Sequence, residues 1–274
     1  MARAREKDYL AIAKKKASRP SLVKSYRKVL VYGRNKKGKS TFGISNGVDN
    51  TLVLDPEQGT DLMLKKDPYR IGIEQWEDLH DAWGALRTYK LSPKILGLGK
   101  STEPFNTVSL DGCTKFNNMA LKYVRRLQEE RDLDRIPGMT DRRDYSKSGE
   151  LMKDMINNFL KLKMNVIFTA QERMMTLASA DDDDDSEEVS EYYVPDLPAA
   201  VRGALNSVVD VIGRIYVVRT EIKGKEKAQR RLQIGHHPLY DTGYRSDFVL
   251  PDMIRNPTFP RLVNLIETGE LVRG

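Results

Sequence analysis

The chain has 274 residues, which is enough for one sizeable α/β domain with extensions or for a core plus a small second module. Its hydrophobic fraction of 39% and charged fraction of 31% are typical of a soluble globular protein. It contains no run of 18 or more apolar residues and no secretory signal pattern, so we expect neither a membrane span nor export. Cys113 is the only cysteine. This excludes an internal disulfide and a multi-cysteine metal site, and it favours a cytoplasmic protein. The net charge of +7 is compatible with a polyanionic partner.

The first 27 residues form a basic N-terminal arm. Tyr9, Leu10, Ile12 and Ala13 give it a small apolar stripe, which predicts a short helix followed by a linker near residues 19–20. Two interpretations remain open for this arm. It is either a solvated tail, or a segment that docks on a neighbouring subunit or on DNA.

From residue 28 onward, short β-prone runs alternate with helical segments. Strands are predicted at residues 28–32, 51–54, 70–73, 106–110, 165–169, 208–220 and 229–235. Helices are predicted from residue 41 and at residues 74–88, 117–131 and 149–161, with a polar loop at 135–148. This alternation indicates an α/β core with a mostly parallel central sheet and helices on both faces.

The last third of the chain carries an acidic segment, residues 181–191, with five consecutive aspartates. Mutual repulsion of these carboxylates predicts that the loop at 178–196 stays disordered without a partner. We therefore divide the chain into the arm (1–27), a core (28–250) that includes this loop, and a C-terminal extension (251–274).

The segment Gly33–Ser40 fits the phosphate-loop pattern G-x-x-x-x-G-K-[ST] without a mismatch, and it lies between a predicted strand and a predicted helix. Glycines let successive backbone N–H groups turn toward phosphate oxygens. We predict nucleotide contacts from the whole segment, which comprises Gly33, Arg34, Asn35, Lys36, Lys37, Gly38, Lys39, Ser40 and Thr41. Within it, Lys39 is expected to reach the β and γ phosphates and Ser40 to supply a hydroxyl to Mg²⁺. The alternative is a fortuitous basic turn.

Three further polar residues follow the ends of predicted strands, at the edge where parallel sheets bind ligands. Glu57 is placed to activate a water molecule beyond the γ phosphate, Asp111 to support Mg²⁺, and Gln171 to sense the γ phosphate. Each has a plainer alternative. These are a Pro/Gly turn for Glu57, an Asp-Gly turn for Asp111 and a surface side chain for Gln171.

In order and spacing, the chain resembles the RecA/RadA recombinase core over residues 28–250, through the segments GRNKKGKST, LVLDPEQG, TVSLDG and VIFTAQER. More narrowly, it looks like the short RecA-like ATPases of bacteriophages, which are often described as AAA-domain nucleotide-binding proteins. The resemblance implies a RecA-like P-loop core, ATP and Mg²⁺ as ligands, and Glu57 as catalytic base with Gln171 as sensor. It also implies self-association in a ring or filament, with Arg245 completing a neighbour's site.

The resemblance implies action on single-stranded DNA in phage recombination or strand annealing, in the cytoplasm of a bacterial host. The first candidate DNA contacts are Arg142, Arg143, Tyr145 and Lys147; the N-terminal arm and residues 223–231 are further candidates. Two departures from the family pattern are Ala170, where the recombinases have Asn, and Ser109 in an otherwise apolar strand. A third is the acidic run at 181–185, where the recombinases have a DNA-binding loop and where carboxylates should repel phosphates.

Two other functions compete with a DNA-dependent ATPase. The first is a nucleotide-gated adaptor or helicase-loader-like protein that binds a protein partner through the acidic segment. The second is a P-loop kinase for a small metabolite, which the absence of an Arg-rich lid pattern and the Asp-x-Glu strand end disfavour.

Overall fold

A computed structural model describes residues 9–19, 25–132, 134–177, 190–222 and 225–271. The helices are α1 (Tyr9–Lys16), α2 (Lys39–Gly43), α3 (Trp76–Leu86), α4 (Cys113–Arg131), α5 (Arg142–Leu160), α6 (Ala199–Asn206) and α7 (Phe259–Thr268). The strands are β1 (Lys28–Tyr32), β2 (Thr51–Asp55), β3 (Tyr69–Gly72), β4 (Thr107–Asp111), β5 (Asn165–Ala170), β6 (Glu172–Leu177), β7 (Ser190–Pro195), β8 (Val211–Ile222), β9 (Lys225–Gln233), β10 (Gly243–Tyr244) and β11 (Met253–Arg255).

The central sheet has the strand order β11-β9-β8-β1-β5-β4-β2-β3, and β10 pairs with β8 at one end. The strands from β8 to β3 run parallel, while the β8–β9, β9–β11 and β8–β10 pairs are antiparallel. A separate hairpin is formed by β6 and β7. The mostly parallel α/β sheet predicted from the sequence is therefore confirmed.

Strand β1 lies at the centre of the sheet, and its alternating side chains enter two hydrophobic cores. Leu30 and Tyr32 point into a core that contains buried residues of α3, α4, α5 and α6. Val29 and Val31 point to the other face, where Phe42 of α2 and buried residues of α7 cover the sheet. Helices thus cover both faces of β1, and the loop that follows it emerges between the two layers.

Helix α5 begins at Arg142, so the predicted polar loop at 135–148 is wrong for its second half. Asp141 caps the helix by accepting hydrogen bonds from the backbone N–H groups of Arg143 and Asp144. In return, the Asp144 carboxylate accepts a hydrogen bond from the backbone N–H of Asp141. The Asp144 carboxylate is buried and forms an ion pair with Arg135. This capping box offsets the low apolar content of the first two turns.

The chain after residue 189 is more ordered than the sequence suggested. Residues 190–195, assigned to the acidic loop, form β7 and pair with β6 from Glu172↔Pro195 to Leu177↔Ser190. Residues 178–189 of that loop lie outside the described residues.

The C-terminal residues are part of the core rather than an extension of it. Strand β11 continues the central sheet beside β9, and α7 buries four residues in the second core. The Thr258 hydroxyl caps the start of α7, and Gly269, with a φ of 73°, ends it. The predicted boundary at residue 250 therefore does not separate two structural units.

The predicted N-terminal helix is present as α1, with lysines at its last three positions. Its Tyr9 and Leu10 side chains are largely exposed. Among the helices that the structure describes, none is long and apolar enough to cross a membrane.

Candidate nucleotide-binding site

The loop between β1 and α2 is shaped by close packing at both of its motif glycines. A Cβ atom on Gly33 would collide with the backbone carbonyl oxygen of Ile215 in β8. Gly38 has a φ of 105°, a conformation that favours glycine, and a Cβ there would lie 2.6 Å from Nε of Arg230. The Lys39 ammonium closes the loop by donating to the carbonyl oxygens of Gly33 (2.9 Å) and Arg34 (3.1 Å). The two glycines are therefore required by sterics as well as by the phosphate-loop pattern.

A cavity of about 520 Å³ lies beside this loop at the carboxyl edge of the parallel strands. It brings together Lys39, Ser40, Glu57, Asp111 and Gln171, which follow or end four different strands. The other residues that line it are Asn35, Lys36, Asp55, Gly59, Leu62, Gly112, Thr114, Lys115, Thr169 and Ala170. The remaining loop residues named from the sequence lie in the same segment but outside this lining: Gly33, Arg34, Lys37, Gly38 and Thr41.

The Asp111 carboxylate ends β4 next to the phosphate-loop serine. It accepts a 2.6 Å hydrogen bond from Oγ1 of Thr169. Burial raises the pKa of Asp111, while the side chains of Ser40 and Thr169 and the Lys39 charge oppose the shift. The Ser40 hydroxyl and the Asp111 carboxylate both line the cavity, and they are oxygen donors of the kind that Mg²⁺ prefers.

Glu57 is carried by a short loop that Asp55 holds in place. The buried Asp55 carboxylate accepts hydrogen bonds from the backbone N–H groups of Glu57 (3.1 Å), Gly59 (3.2 Å) and Thr60 (2.9 Å). The Thr60 hydroxyl adds a fourth, at 2.6 Å. These four hydrogen bonds, which we call the Asp55 bracket, fix the turn after β2 and so fix the backbone that carries Glu57 into the lining of the cavity.

Gln171 is held at the junction of β5 and β6. Its backbone N–H donates to Oγ1 of Thr114 (3.0 Å), and its carbonyl oxygen accepts from the Asp196 N–H (2.8 Å). Neither contact uses the amide side chain, which stays available to the cavity.

Lys39 is one of three lysines that line the cavity, beside Lys36 and Lys115. Burial lowers its pKa, and the negative charges of Asp111, Glu57 and Glu172 act in the opposite direction. An ammonium that is partly stripped of water and faces a polar cavity is suited to bind an anion.

A family profile described as an AAA domain matches residues 25–246, which include the phosphate loop and every residue that lines the cavity. The chain belongs to this AAA domain family. It therefore carries a P-loop domain of the nucleotide-binding ATPase type. In a search of curated proteins, none matches this chain.

The AAA domain contains an ion-pair cluster that sequence reasoning missed. The Glu172 carboxylate is only 3% exposed, and it accepts two hydrogen bonds from Arg214 of β8, at 2.6 and 3.2 Å. On its other side Glu172 pairs with Arg34 of the phosphate loop, at 3.3 Å. The cluster fastens the base of the β6–β7 hairpin to the phosphate loop. Its partners are 42 and 138 residues apart in sequence, so no local pattern could reveal them.

Ser109, the polar departure within β4, has a packing explanation. Its buried side chain lies against Gly43 of α2, where a Cβ on the glycine would collide with the Ser109 hydroxyl oxygen. A larger apolar residue at position 109 would push α2, and with it the phosphate loop, away from the sheet.

Neither the predicted DNA contacts nor Arg245 lines the cavity. Arg142, Arg143, Tyr145 and Lys147 are exposed on the first two turns of α5. The Arg245 N–H donates to the carbonyl oxygen of Asp210, next to the start of β1, so Arg245 lies at the amino edge of the sheet. It does not reach the cavity of its own chain, and its role at a neighbour's site remains a prediction.

Proposed function

We propose that this AAA domain protein binds and hydrolyses ATP with Mg²⁺ and acts on single-stranded DNA, in recombination or strand annealing of a bacteriophage. The observation that carries the ATPase part is the convergence of Lys39, Ser40, Glu57, Asp111 and Gln171 on one cavity. The DNA part is supported by the resemblance to RecA-like phage ATPases and by the net charge of +7. The setting that follows is the cytoplasm of a bacterial host.

Ser40 and Asp111 are the residues that would hold Mg²⁺. When bound, Mg²⁺ neutralises charge on the β and γ phosphates. Lys39 supplies a second positive charge to the same phosphates, and its present partners, the carbonyl oxygens of Gly33 and Arg34, give way to phosphate oxygens when nucleotide enters.

Glu57 orients the attacking water and accepts its proton. The water oxygen bonds to the γ phosphorus as the bond to the β–γ bridging oxygen breaks, which releases ADP and phosphate. The Asp55 bracket keeps Glu57 in place. Gln171 is the sensor that contacts the γ phosphate, and it passes that contact to β6, which starts at the next residue.

The proposal includes self-association into a ring or filament. AAA domains often self-associate, and the predicted role of Arg245 requires a neighbouring subunit. Arg245 would supply positive charge to the phosphates bound by that neighbour.

The ATPase proposal is tested by Lys39→Ala and Glu57→Gln. We expect Lys39→Ala to abolish nucleotide binding or turnover. Glu57→Gln should keep ATP bound and lower the hydrolysis rate by about 10²-fold or more, because it removes the acid–base group. Lys94→Ala and Glu103→Gln, which change residues outside the cavity, are the matched controls. Normal hydrolysis by Glu57→Gln would show that Glu57 is not the base.

The DNA proposal is tested by binding to a single-stranded oligonucleotide and by the ATPase rate with and without it. We expect binding at low salt that weakens as salt rises, together with faster hydrolysis. A protein that shows neither effect at low salt does not act on single-stranded DNA.

One observation favours the nucleotide-gated adaptor as a second function. The β6–β7 hairpin, whose strands are joined by residues 178–189, is tied to the phosphate loop through Glu172 and Arg34. Deleting residues 181–189 leaves both described strands complete. Loss of binding to a protein partner with unchanged or stronger DNA binding would support the adaptor, whereas loss of DNA binding would contradict it.

A further inference from the structure

The edge of the sheet formed by β8, β9 and β11 has two chemically different faces. Leu232 and Ile254 lie opposite one another on neighbouring strands and are buried in the core that contains α7. Side chains alternate along a strand, so the residues next to them point to the other face. There Tyr216, Arg231 and Arg255 form a row across the three strands, since Tyr216 pairs with Arg231 and Arg231 with Arg255.

In the described parts of β8, β9 and β11, acidic residues occur on only one face of the sheet. Glu221 and Glu226, the two glutamates in the described parts of β8, β9 and β11, pair with each other in register and lie on the face of Leu232. Glu226 also forms an ion pair with Arg219 on that face. The opposite face carries Tyr216, Lys227, Gln229, Arg231 and Arg255, which we call the cation face.

The two arginines of the cation face are not neutralised by the described part of the chain. Arg255 is exposed and Arg231 is partly exposed. Arg231 donates to the Gln229 amide oxygen at 3.3 Å. No carboxylate of the described residues pairs with either guanidinium. Guanidinium groups held side by side without a counter-charge repel one another, and a polyanion removes that repulsion.

An aromatic cluster adjoins the cation face around Arg214. The Arg214 guanidinium lies 5.6 Å from the ring centre of Tyr216, 5.1 Å from that of Tyr193 and 4.2 Å from that of Tyr240. His237 stacks on Tyr240 with ring centres 4.1 Å apart. Aromatic rings set among cations are the arrangement that proteins use for unpaired bases and their phosphates.

We propose that the cation face binds single-stranded nucleic acid, with phosphates on Lys227, Arg231 and Arg255 and a base against Tyr216. The row across three strands spans about 10 Å, and Lys227 lies about 13 Å along β9 from Arg231. These dimensions suit a short single-stranded segment, and the ring of Tyr216 stacks only on a base that is free of its partner. This inference rests on the proposed action on single-stranded DNA and assigns it a surface different from the start of α5.

The test compares two double variants that remove the same charge. Arg231→Gln/Arg255→Gln changes the cation face, and the control Arg87→Gln/Arg219→Gln changes two exposed arginines on other surfaces. The readout is the anisotropy of a fluorescent single-stranded oligonucleotide, titrated at several salt concentrations with the full chain. The cation-face variant should bind at least ten-fold more weakly, and its dependence of log K on log salt should flatten by about 1.4, or 0.7 for each lost phosphate contact. Tyr216→Leu should weaken binding with the salt dependence unchanged.

The outcomes separate this inference from the function on which it rests. If the wild type binds the oligonucleotide and the cation-face variant binds equally well, the cation face is wrong while the proposed function stands. Equal weakening by both double variants also overturns it, because it shows a response to net charge alone. If the wild type binds no oligonucleotide at low salt, the proposed function and the cation face fail together. Unchanged ATP hydrolysis without DNA in all variants shows that the fold is intact.

Discussion

Replacing Glu172 by Gln removes the charge at the centre of the cluster while keeping its shape. In the native protein the carboxylate is almost fully buried, and it is shared between Arg214, which is 13% exposed, and Arg34, which is 67% exposed. The substitution therefore leaves one guanidinium that is largely cut off from water without its counter-charge. The other arginine can turn into solvent.

The two exposures set the size of the effect. Removing one partner of a buried ion pair costs about 3–5 kcal/mol, whereas an exposed pair contributes about 0–1 kcal/mol. The amide oxygen of the introduced glutamine still accepts one hydrogen bond from Arg214, so the loss should lie at or just below the lower end of the buried range. The free energy of unfolding should fall by about 2–3 kcal/mol, nearly all of it through Arg214.

Urea unfolding measures this loss, and a double-mutant cycle with Arg214→Gln assigns it to the pair. We expect a coupling energy above about 1.5 kcal/mol for Glu172 with Arg214, since contacting residues depart from additivity. The control Glu226→Gln breaks an ion pair with Arg219 that is 64% and 77% exposed, and it should cost less than about 0.5 kcal/mol. A loss below about 1 kcal/mol for Glu172→Gln, with no coupling to Arg214, would refute the argument.

Three further predictions concern stability and nucleotide binding. Gly33→Ala should lower the free energy of unfolding by about 1–3 kcal/mol and raise the Kd for ATP, because the added Cβ meets the Ile215 carbonyl oxygen in a paired strand; unchanged urea unfolding would contradict this. Ser109→Ala removes a buried hydroxyl that has no hydrogen-bond partner among the described residues, so stability should stay equal or rise by up to about 1 kcal/mol; clear destabilisation in urea would show that the hydroxyl is bonded. Burial lowers the pKa of Lys28 to about 8 from 10.5. The unfolded chain then binds more protons between these values, and wild-type stability relative to Lys28→Met should rise with pH across that window; a pH-independent difference would refute it.

The sequence predicted which side chains meet at the carboxyl edge of the sheet, because the signals for that edge are local. A strand, a glycine turn and a short helix occupy the consecutive residues 28–43 around Gly33. Glu57, Asp111 and Gln171 lie at or just after the ends of the β-prone segments TLVLD, TVSLD and NVIFTA, which are five or six residues long. Parallel strands place their carboxyl ends together, so the convergence of these side chains on one cavity follows from topology.

The start of α5 was missed although its signal was present. Asp141 and Asp144 have the spacing of a capping box, but the polar residues between and after them resemble a loop when apolar periodicity is the main criterion. The β6–β7 hairpin was missed for a different reason. Its two strands, β6 and β7, lie on either side of a charged segment and are stabilised by pairing with each other. A local sequence pattern does not show such pairing.

The position of Arg245 limits how subunits can assemble if it completes a neighbour's site. Arg245 lies at the amino edge of the sheet, where its guanidinium donates to the Ser207 carbonyl oxygen of its own chain. The cavity with Lys39 and Glu57 lies at the carboxyl edge, so β1, five residues long, separates the two by about 16 Å. A contact that joins the amino edge of one subunit to the carboxyl edge of the next is head-to-tail. Repetition of such a contact gives a closed ring or an open filament. If Arg245 completes a neighbour's site, the subunits must therefore assemble as a ring or a filament.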